Sequence, residues 1–519
     1  MMTLTYILAA VVLLGLCIFV HELGHLLGGK MVGIKAEVFS LGYGKGFFKK
    51  KIGDTTYQVT LIPFGGYCKF YGEDPSEDRS GQGFEFLSAH PLKRMVTVAM
   101  GPLFNLFFGI LLFFVMNLVG YTQETNRVYL PEQAAPAEAA SPAYKAGLRT
   151  GDEVVGIGGK TIRGFTDIQS AVIFSEGREL DFTVKRAGET LAFRVRPEVR
   201  DGSGRYTIGI APFGDRVLIA GVLDGDVAAK AGLEEMDEVE SVDGVKMTDP
   251  LKFTEYIKAR TGEKVVIAVK RKDGVREIPL VPRLNTLAAV TGKNASTGVD
   301  EQAVFDTGML RAAQEKNFIR FNGNIYPQVE SLIAEMKKMN GREVSLEVDK
   351  TVYRGMLAVE ERGFIGVFPA LAPEMVLVKY SPGEGFIQAL VEPYDFIVMN
   401  LQGMGMLFSG EMDVRENVSG PIRIAKIAGD VAYYKGAAAF IILMAKISII
   451  LMVMNLLPIP AVDGSHLIFF FVELVRGKPL SQKVMERIQT AGVVILIILG
   501  VFIIINDISM LPAVQKLLN

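Results

Sequence analysis

The chain has 519 residues, 50% of them hydrophobic, with 55 Lys and Arg against 57 Asp and Glu and a formal net charge of −2. That length allows three or four domain-sized units at about 150 residues each. The near-neutral balance excludes the basic excess of a nucleic-acid-binding chain, and the two cysteines, Cys17 and Cys68, form no zinc-knuckle or CxxC redox motif.

Residues 4–20 carry no charge, and the apolar character runs on through "HELGHLLGG" to position 29. At about 20 helical residues per bilayer crossing, residues 1–28 form a first membrane span. Lacking a basic n-region and a small-x-small cleavage site, it is not read as a cleaved signal peptide. Within it, His21 and His25 stand four apart on one helix face, with Glu22 beside them. This is the HExxH pattern, in which two imidazoles share one Zn²⁺ and the glutamate takes a proton from the metal-bound water. Polar groups in a span can also serve helix packing, but ionisable ones there are costly and usually functional.

Residues 29–92 follow as a loop of short β-prone runs and glycines, "GIKAEVFSLGYGKGFFKKKIGDTTYQVTLIPFGGYCKFYG" over 33–72. Too short and glycine-rich for a soluble domain, it reads as a β-sheet dipping into the bilayer edge. A second charge-free run places the second span over 93–120.

The polar stretch that follows repeats itself. "SPAYKAGLRTGDEVVGIGGKTI" (141–162) matches "GDVAAKAGLEEMDEVESVDGVKM" (225–247), and "RAAQEKNFIRFNGNIY" (311–326) is a weaker third copy. Paired turn signals fall at Gly158, Asp243 and Asn322, and "YTIGIAP" (206–212) and "GFIGVFP" (363–369) form a further recurring strand. A period of about 80 residues is too long for a solenoid and reads as tandem domains, 127–205, 206–283 and a divergent 284–362. Residues 363–436 read as a strand and amphipathic membrane-surface helices.

A third span covers 437–475 and a fourth 489–516. The third contains "NLLPIPAVDGSH" (455–466), where Asp463 is the only acid in an apolar stretch and the prolines and glycine break the helix. A catalytic zinc takes three protein ligands and a water, so Asp463 is the candidate third ligand, with His466 the alternative. The Lys/Arg-rich loops 29–92 and 476–488 fall on one side of a four-span chain, which places them in the cytoplasm and the repeats outside it.

These motifs together are specific. HELGH in the first span, "GPLFN" in the second, the repeats and "NLLPIPAVDG" in the third resemble the site-2 protease family of intramembrane zinc metalloproteases, of the bacterial regulator of sigma-E protease type. The expected fold is a polytopic α-helical membrane protein of about four transmembrane helices, with a membrane-associated β-sheet and tandem α+β PDZ-like domains. The resemblance implies that His21, His25 and Asp463 hold Zn²⁺ and that Glu22 is the catalytic base. It also implies that Asn455, Pro458 and Pro460 hold an unwound substrate strand and that Asn105 belongs to the element beside the site. The substrate would be a single-pass transmembrane protein, such as an anti-sigma factor trimmed by a first protease or a remnant signal peptide, in a bacterial inner membrane with the repeats periplasmic. PDZ domains capture peptides by strand addition, and these could also act as spacers or as a size filter. Members commonly carry "LDGGH" where this chain has "VDGSH", a change that spares the ligand, and usually one or two PDZ domains. A non-enzymatic scaffold would have no reason to keep the whole constellation, and four spans with one zinc-like site and no repeated polar stripe do not suit a metal transporter.

Overall fold

The computed structural model describes residues 2–74, 80–131, 141–199, 205–271, 273–294, 300–315, 319–326, 328–348, 351–410 and 418–509. Among them, four helices are long and apolar enough to cross a membrane: Leu4–Val32, Pro91–Val119, Pro421–Leu456 and Lys483–Ser509. The last residues of the span read at 489–516 lie outside the described residues.

The first two spans, α1 (Met2–Val32) and α2 (Pro91–Val119), pack through small residues. A Cβ on Gly24 would lie 2.3 Å from the Met100 carbonyl oxygen, and one on Gly28 would lie 2.8 Å from the Met100 side chain. Lipid gives helices no hydrophobic reason to associate, so a small-xxx-small face that admits a neighbouring backbone becomes the means of close packing. Leu4, Ile7 and Leu8 of α1 and Phe107 and Leu111 of α2 stay exposed. That suits lipid-facing positions.

Between these helices, β1 (Ala36–Ile52) and β2 (Thr55–Phe70) form a strongly bent sheet. Leu41 pairs with Gly66 on one side and with Val59 on the other, so each long strand folds back to supply two lanes. Residues 66–70 pair only with the start of β1 and form an edge. This sheet packs on the C-terminal half of α1, where Ile34, Phe39, Phe70 and Phe86 bury a core with Leu26.

The third span starts earlier than the apolar run beginning at 437. Helix Pro421–Asp430 and a π-helical turn, Val431–Lys435, lead into α4 (Gly436–Leu456), preceded by α3 (Pro382–Ser409). Arg423, Lys426, Asp430 and Lys435 hide this extension from a hydropathy reading. Asp507 of the last span, α6 (Gln482–Ser509), accepts from the backbone N–H groups of Gly420, Ile422 and Arg423 at 3.0–3.1 Å and so caps the helix start. The stretch 437–475 is two helices: α4 stops at Leu456 and α5 runs from Asp463 to Arg476.

The chain divides into two compact units, one of residues 1–126, 130–210 and 375–519, the other of 127–129 and 211–374. In the first unit, Glu153–Ile157, Leu180–Arg186 and Glu189–Val195 form an antiparallel sheet completed by Lys160–Thr161. Besides the short pair of Val128–Tyr129 with Ala211–Pro212, the second unit holds two larger sheets among the described residues. One runs in the order Gly274–Leu280, Val265–Arg271, Glu238–Val242, Arg216–Val222, Val367–Ala372. The other is built around a twelve-pair ladder between Arg283–Asn294 and Thr351–Phe364. The strand that borders Arg216–Val222 therefore comes after the second sheet in the chain, which leaves segment 284–362 as an insertion between parts of one fold.

The repeats share more than a pattern. Arg186 Nε donates to Asp152 at 2.6 Å and Arg186 Nη2 to the Gly147 carbonyl at 2.8 Å; Arg271 makes the same pair of bonds to Asp237 at 2.5 Å and to Gly232 at 2.7 Å. Ala143 N donates to Ile208 O as Ala228 N does to Ile365 O, which ties "YTIGIAP" and "GFIGVFP" to equivalent places. Gly158, Asp243 and Asn322 all take a left-handed φ near 50° at their turns. Arg271→Ala strands the buried Asp237 carboxylate, a change expected to cost about 3 kcal/mol. Hydrogen exchange should show Val265–Arg271 losing protection to that extent, while Leu180–Arg186 keeps its own.

Candidate metal centre

The HExxH residues lie in the second half of α1, and the reason they meet α2 is local. Gly101 of α2 faces His25 so closely that a Cβ there would lie 2.4 Å from its ring. The missing side chain lets the imidazole lie against the α2 backbone, where His25 Nδ1 sits 3.1 Å from the Thr97 carbonyl oxygen. That carbonyl can only accept, so Nδ1 carries the proton and Nε2 presents a lone pair. On the other ring, His21 Nδ1 lies 3.3 Å from the side-chain amide of Asn105, which is fully buried in α2.

Asp463 reaches the histidines because the helix breaks before it. Pro458 and Pro460 remove backbone donors, and Ala461 adopts φ +75°, a left-handed conformation that costs a non-glycine residue about 1 kcal/mol. Gly464 has no room for a side chain: a Cβ would stand 2.1 Å from the Leu457 carbonyl oxygen. Ser465 Oγ donates to the Val462 carbonyl at 2.8 Å and closes the first turn of α5. At the far end of α5, the buried Arg94 of α2 pairs with Glu473 at 2.6 Å and also donates to the Ala89 carbonyl. Helix α5 is thus tied to α2 at its far end, while Asp463 at its start meets the histidines of α1.

Three donor atoms converge. His21 Nε2 and His25 Nε2 are 3.1 Å apart, and Asp463 Oδ2 lies 3.1 Å from the first and 3.5 Å from the second. Tetrahedral zinc with bonds of about 2.0–2.2 Å spaces its ligands by about 3.4 Å. Asp463 Oδ2 is buried and takes no hydrogen bond. Three lone-pair donors facing one point, with one carboxylate oxygen otherwise unsatisfied, fit a divalent cation. Among the described residues, these three form the one group with metal-ligand spacing. His466, the alternative ligand, lies one turn further along α5, with its Nε2 3.4 Å from Gln489 Nε2.

Glu22 lies against the sheet edge. A Cβ on Gly66 would come 3.3 Å from Glu22 Cγ. Asn455, at the end of α4, and Pro460 are half-buried, and Pro458 is exposed. Pro460 packs on the last span, where a Cβ on Gly492 would meet it at 2.1 Å. Sequence reasoning placed Gly101 beside the site only as part of the GPLFN element and missed Thr97, because a backbone carbonyl in a span carries no metal signature. A Gly101→Val side chain should displace the His25 ring; metal analysis of the purified variant should show zinc occupancy at least about tenfold below wild type.

The comparisons with known proteins agree with this geometry. The profile of peptidase family M50 matches residues 9–499. The regulator of sigma-E protease RseP of Escherichia coli (strain K12) is 25% identical over 523 residues, covering 96% of this chain and 98% of its own length. Protease RseP of Yersinia pestis is 25% identical with 98% and 100% covered, and a protein described as a zinc metalloprotease in Treponema pallidum (strain Nichols) is 26% identical with 97% and 99% covered. With an HExxH span, a converging aspartate and a family match over nearly its whole length, this four-span chain belongs to peptidase family M50 and is a zinc metalloprotease.

Proposed function

We propose that the protein is an intramembrane endopeptidase that cleaves the transmembrane segment of a single-pass membrane protein. The substrate is an anti-sigma factor already trimmed by another protease, with remnant signal peptides as a further class. One observation carries this reading: a set of metal-ligating donors with an adjacent carboxylate, Glu22, lies within a bundle of apolar helices. A soluble substrate would have no reason to be met there. The relative named as a regulator of sigma-E protease supports the anti-sigma-factor assignment.

In this mechanism His21 Nε2, His25 Nε2 and Asp463 Oδ2 hold the metal. A zinc ion held there would supply Lewis-acid chemistry, lowering the pKa of water to about 7 and polarising the scissile carbonyl. Glu22, beside these donors, would take the proton of the attacking water and return it to the leaving amine. A transmembrane helix has its carbonyls tied up in internal hydrogen bonds, so the substrate must unwind before attack. Residues 66–70, paired on one side only, offer backbone groups to the extended strand, and Asn455, Pro458 and Pro460 face it from the break between α4 and α5.

The protein lies in the bacterial inner membrane, with loops 29–92 and 476–488 in the cytoplasm and the repeats in the periplasm. The shared Arg–Asp networks of residues 127–205 and 206–283 support reading both as PDZ-like domains, and the recurrent turn at Asn322 extends the kinship to 284–362.

Glu22→Gln should leave zinc bound and abolish cleavage of a model transmembrane substrate, because the ligands remain while the proton acceptor is lost. Near wild-type cleavage by that variant would refute the mechanism. Asp463→Asn should lower both zinc content and activity; full zinc occupancy in it would move the third ligand elsewhere, with His466 first in line.

A further inference from the structure

Asn105 is fully buried in α2, with its side-chain amide wedged between two groups. Its Nδ2 position lies 3.3 Å from His21 Nδ1, and its Oδ1 position lies 3.3 Å from Ser448 Oγ of α4. The two ends of an amide have the same shape, so a half-turn of the group exchanges them without moving anything else. The neighbours decide which way it faces. Ser448 has one proton, and it goes to the Asn105 backbone carbonyl at 2.8 Å. Its oxygen is left with lone pairs that can accept an N–H. An imidazole that binds a metal through Nε2 carries its proton on Nδ1 and needs an acceptor there. Both neighbours therefore require the amide oxygen toward His21 and the amide nitrogen toward Ser448.

We propose that Asn105 is a positioning residue for the metal ligand His21: its carbonyl oxygen accepts the Nδ1–H of His21 while its N–H₂ donates to Ser448, holding Nε2 toward His25 and Asp463. This rests on the zinc reading of the site and gives Asn105 a task other than holding substrate, for which a side chain without exposure is poorly placed. It also makes α2 the orienting wall for both histidines. Thr97 serves His25 with a backbone carbonyl, and Asn105 serves His21 with a side chain. Ser448 carries the same network into α4, the helix that leads to the Asp463 loop.

The test uses the full-length protein in detergent and measures zinc affinity by competition with a chromophoric chelator. Asn105→Ala should weaken zinc binding about 10- to 100-fold, the usual effect of losing a partner of a metal-bound histidine, whereas Asn105→Asp, which keeps the acceptor, should stay within about threefold of wild type. Thermal unfolding of the metal-free forms should be alike. Wild-type affinity in Asn105→Ala would overturn the proposal, as would Asn105→Asp binding as weakly as Asn105→Ala. So would a raised KM with unchanged zinc affinity, the sign of a substrate contact. If Asn105→Ala does not fold, Ser448→Ala carries the test: a several-fold weakening is expected, and unchanged affinity overturns the proposal. His21→Ala in the same assay keeps the two readings apart, because failure of that variant to lose zinc would sink the metal site itself.

Discussion

Two histidines on one helix turn can offer only one side of a metal's coordination sphere, and the remaining donor has to arrive from a different segment. In a membrane that demand conflicts with the backbone, because a chain at bilayer depth is stable only while its peptide groups bond one another. The break at residues 457–462 resolves the conflict. Pro460 within it packs on the Gly492 face of the last span, while Pro458 and Ala461 stay exposed. Asp463 then stands at the first turn of a new helix, 3.1 Å from His21 Nε2. The site depends on that break.

A second constraint is the distance between α1 and α2. Gly24, Gly28 and Gly101 each face a neighbour at a separation no Cβ could share. Because α2 lies that close, its Thr97 carbonyl and Asn105 amide reach the outer nitrogens of both imidazoles. Glycine in this span thus acts on chemistry through geometry, as an omission that lets a hydrogen-bond acceptor come within reach. The sheet edge obeys similar logic on the other side of α1, where Gly66 leaves room for the Glu22 side chain.

How much of this could be read in the sequence follows from the kind of signal each feature leaves. HExxH and a lone acid beside two prolines are chemical anomalies in an apolar stretch, so His21, Glu22, His25 and Asp463 were legible. The spans were legible from hydropathy except where Arg423, Lys426, Asp430 and Lys435 disguise the start of the third. The partners of the histidines were hidden for a different reason. Thr97 acts through its carbonyl, which every residue has, and Ser448 looks like any small polar residue in a helix. The topology of the repeats was hidden too. A repeat pattern orders its copies along the chain, yet Val367–Ala372 pairs with Arg216–Val222 across the whole of segment 284–362. Strand pairing at such separation leaves no local trace.

That insertion also shows what the repeats tolerate. It enters between Arg283 and Phe364, two residues that face each other in a ladder, so its ends are already adjacent where the chain leaves and rejoins the parent fold. Opening a hairpin at such a point costs little, because loop-closure entropy grows slowly with the length added. The parent sheet keeps its matched Arg271–Asp237 network and its Ala228–Ile365 bond despite the added residues. Growth at a hairpin tip spares a fold that growth within a strand would break.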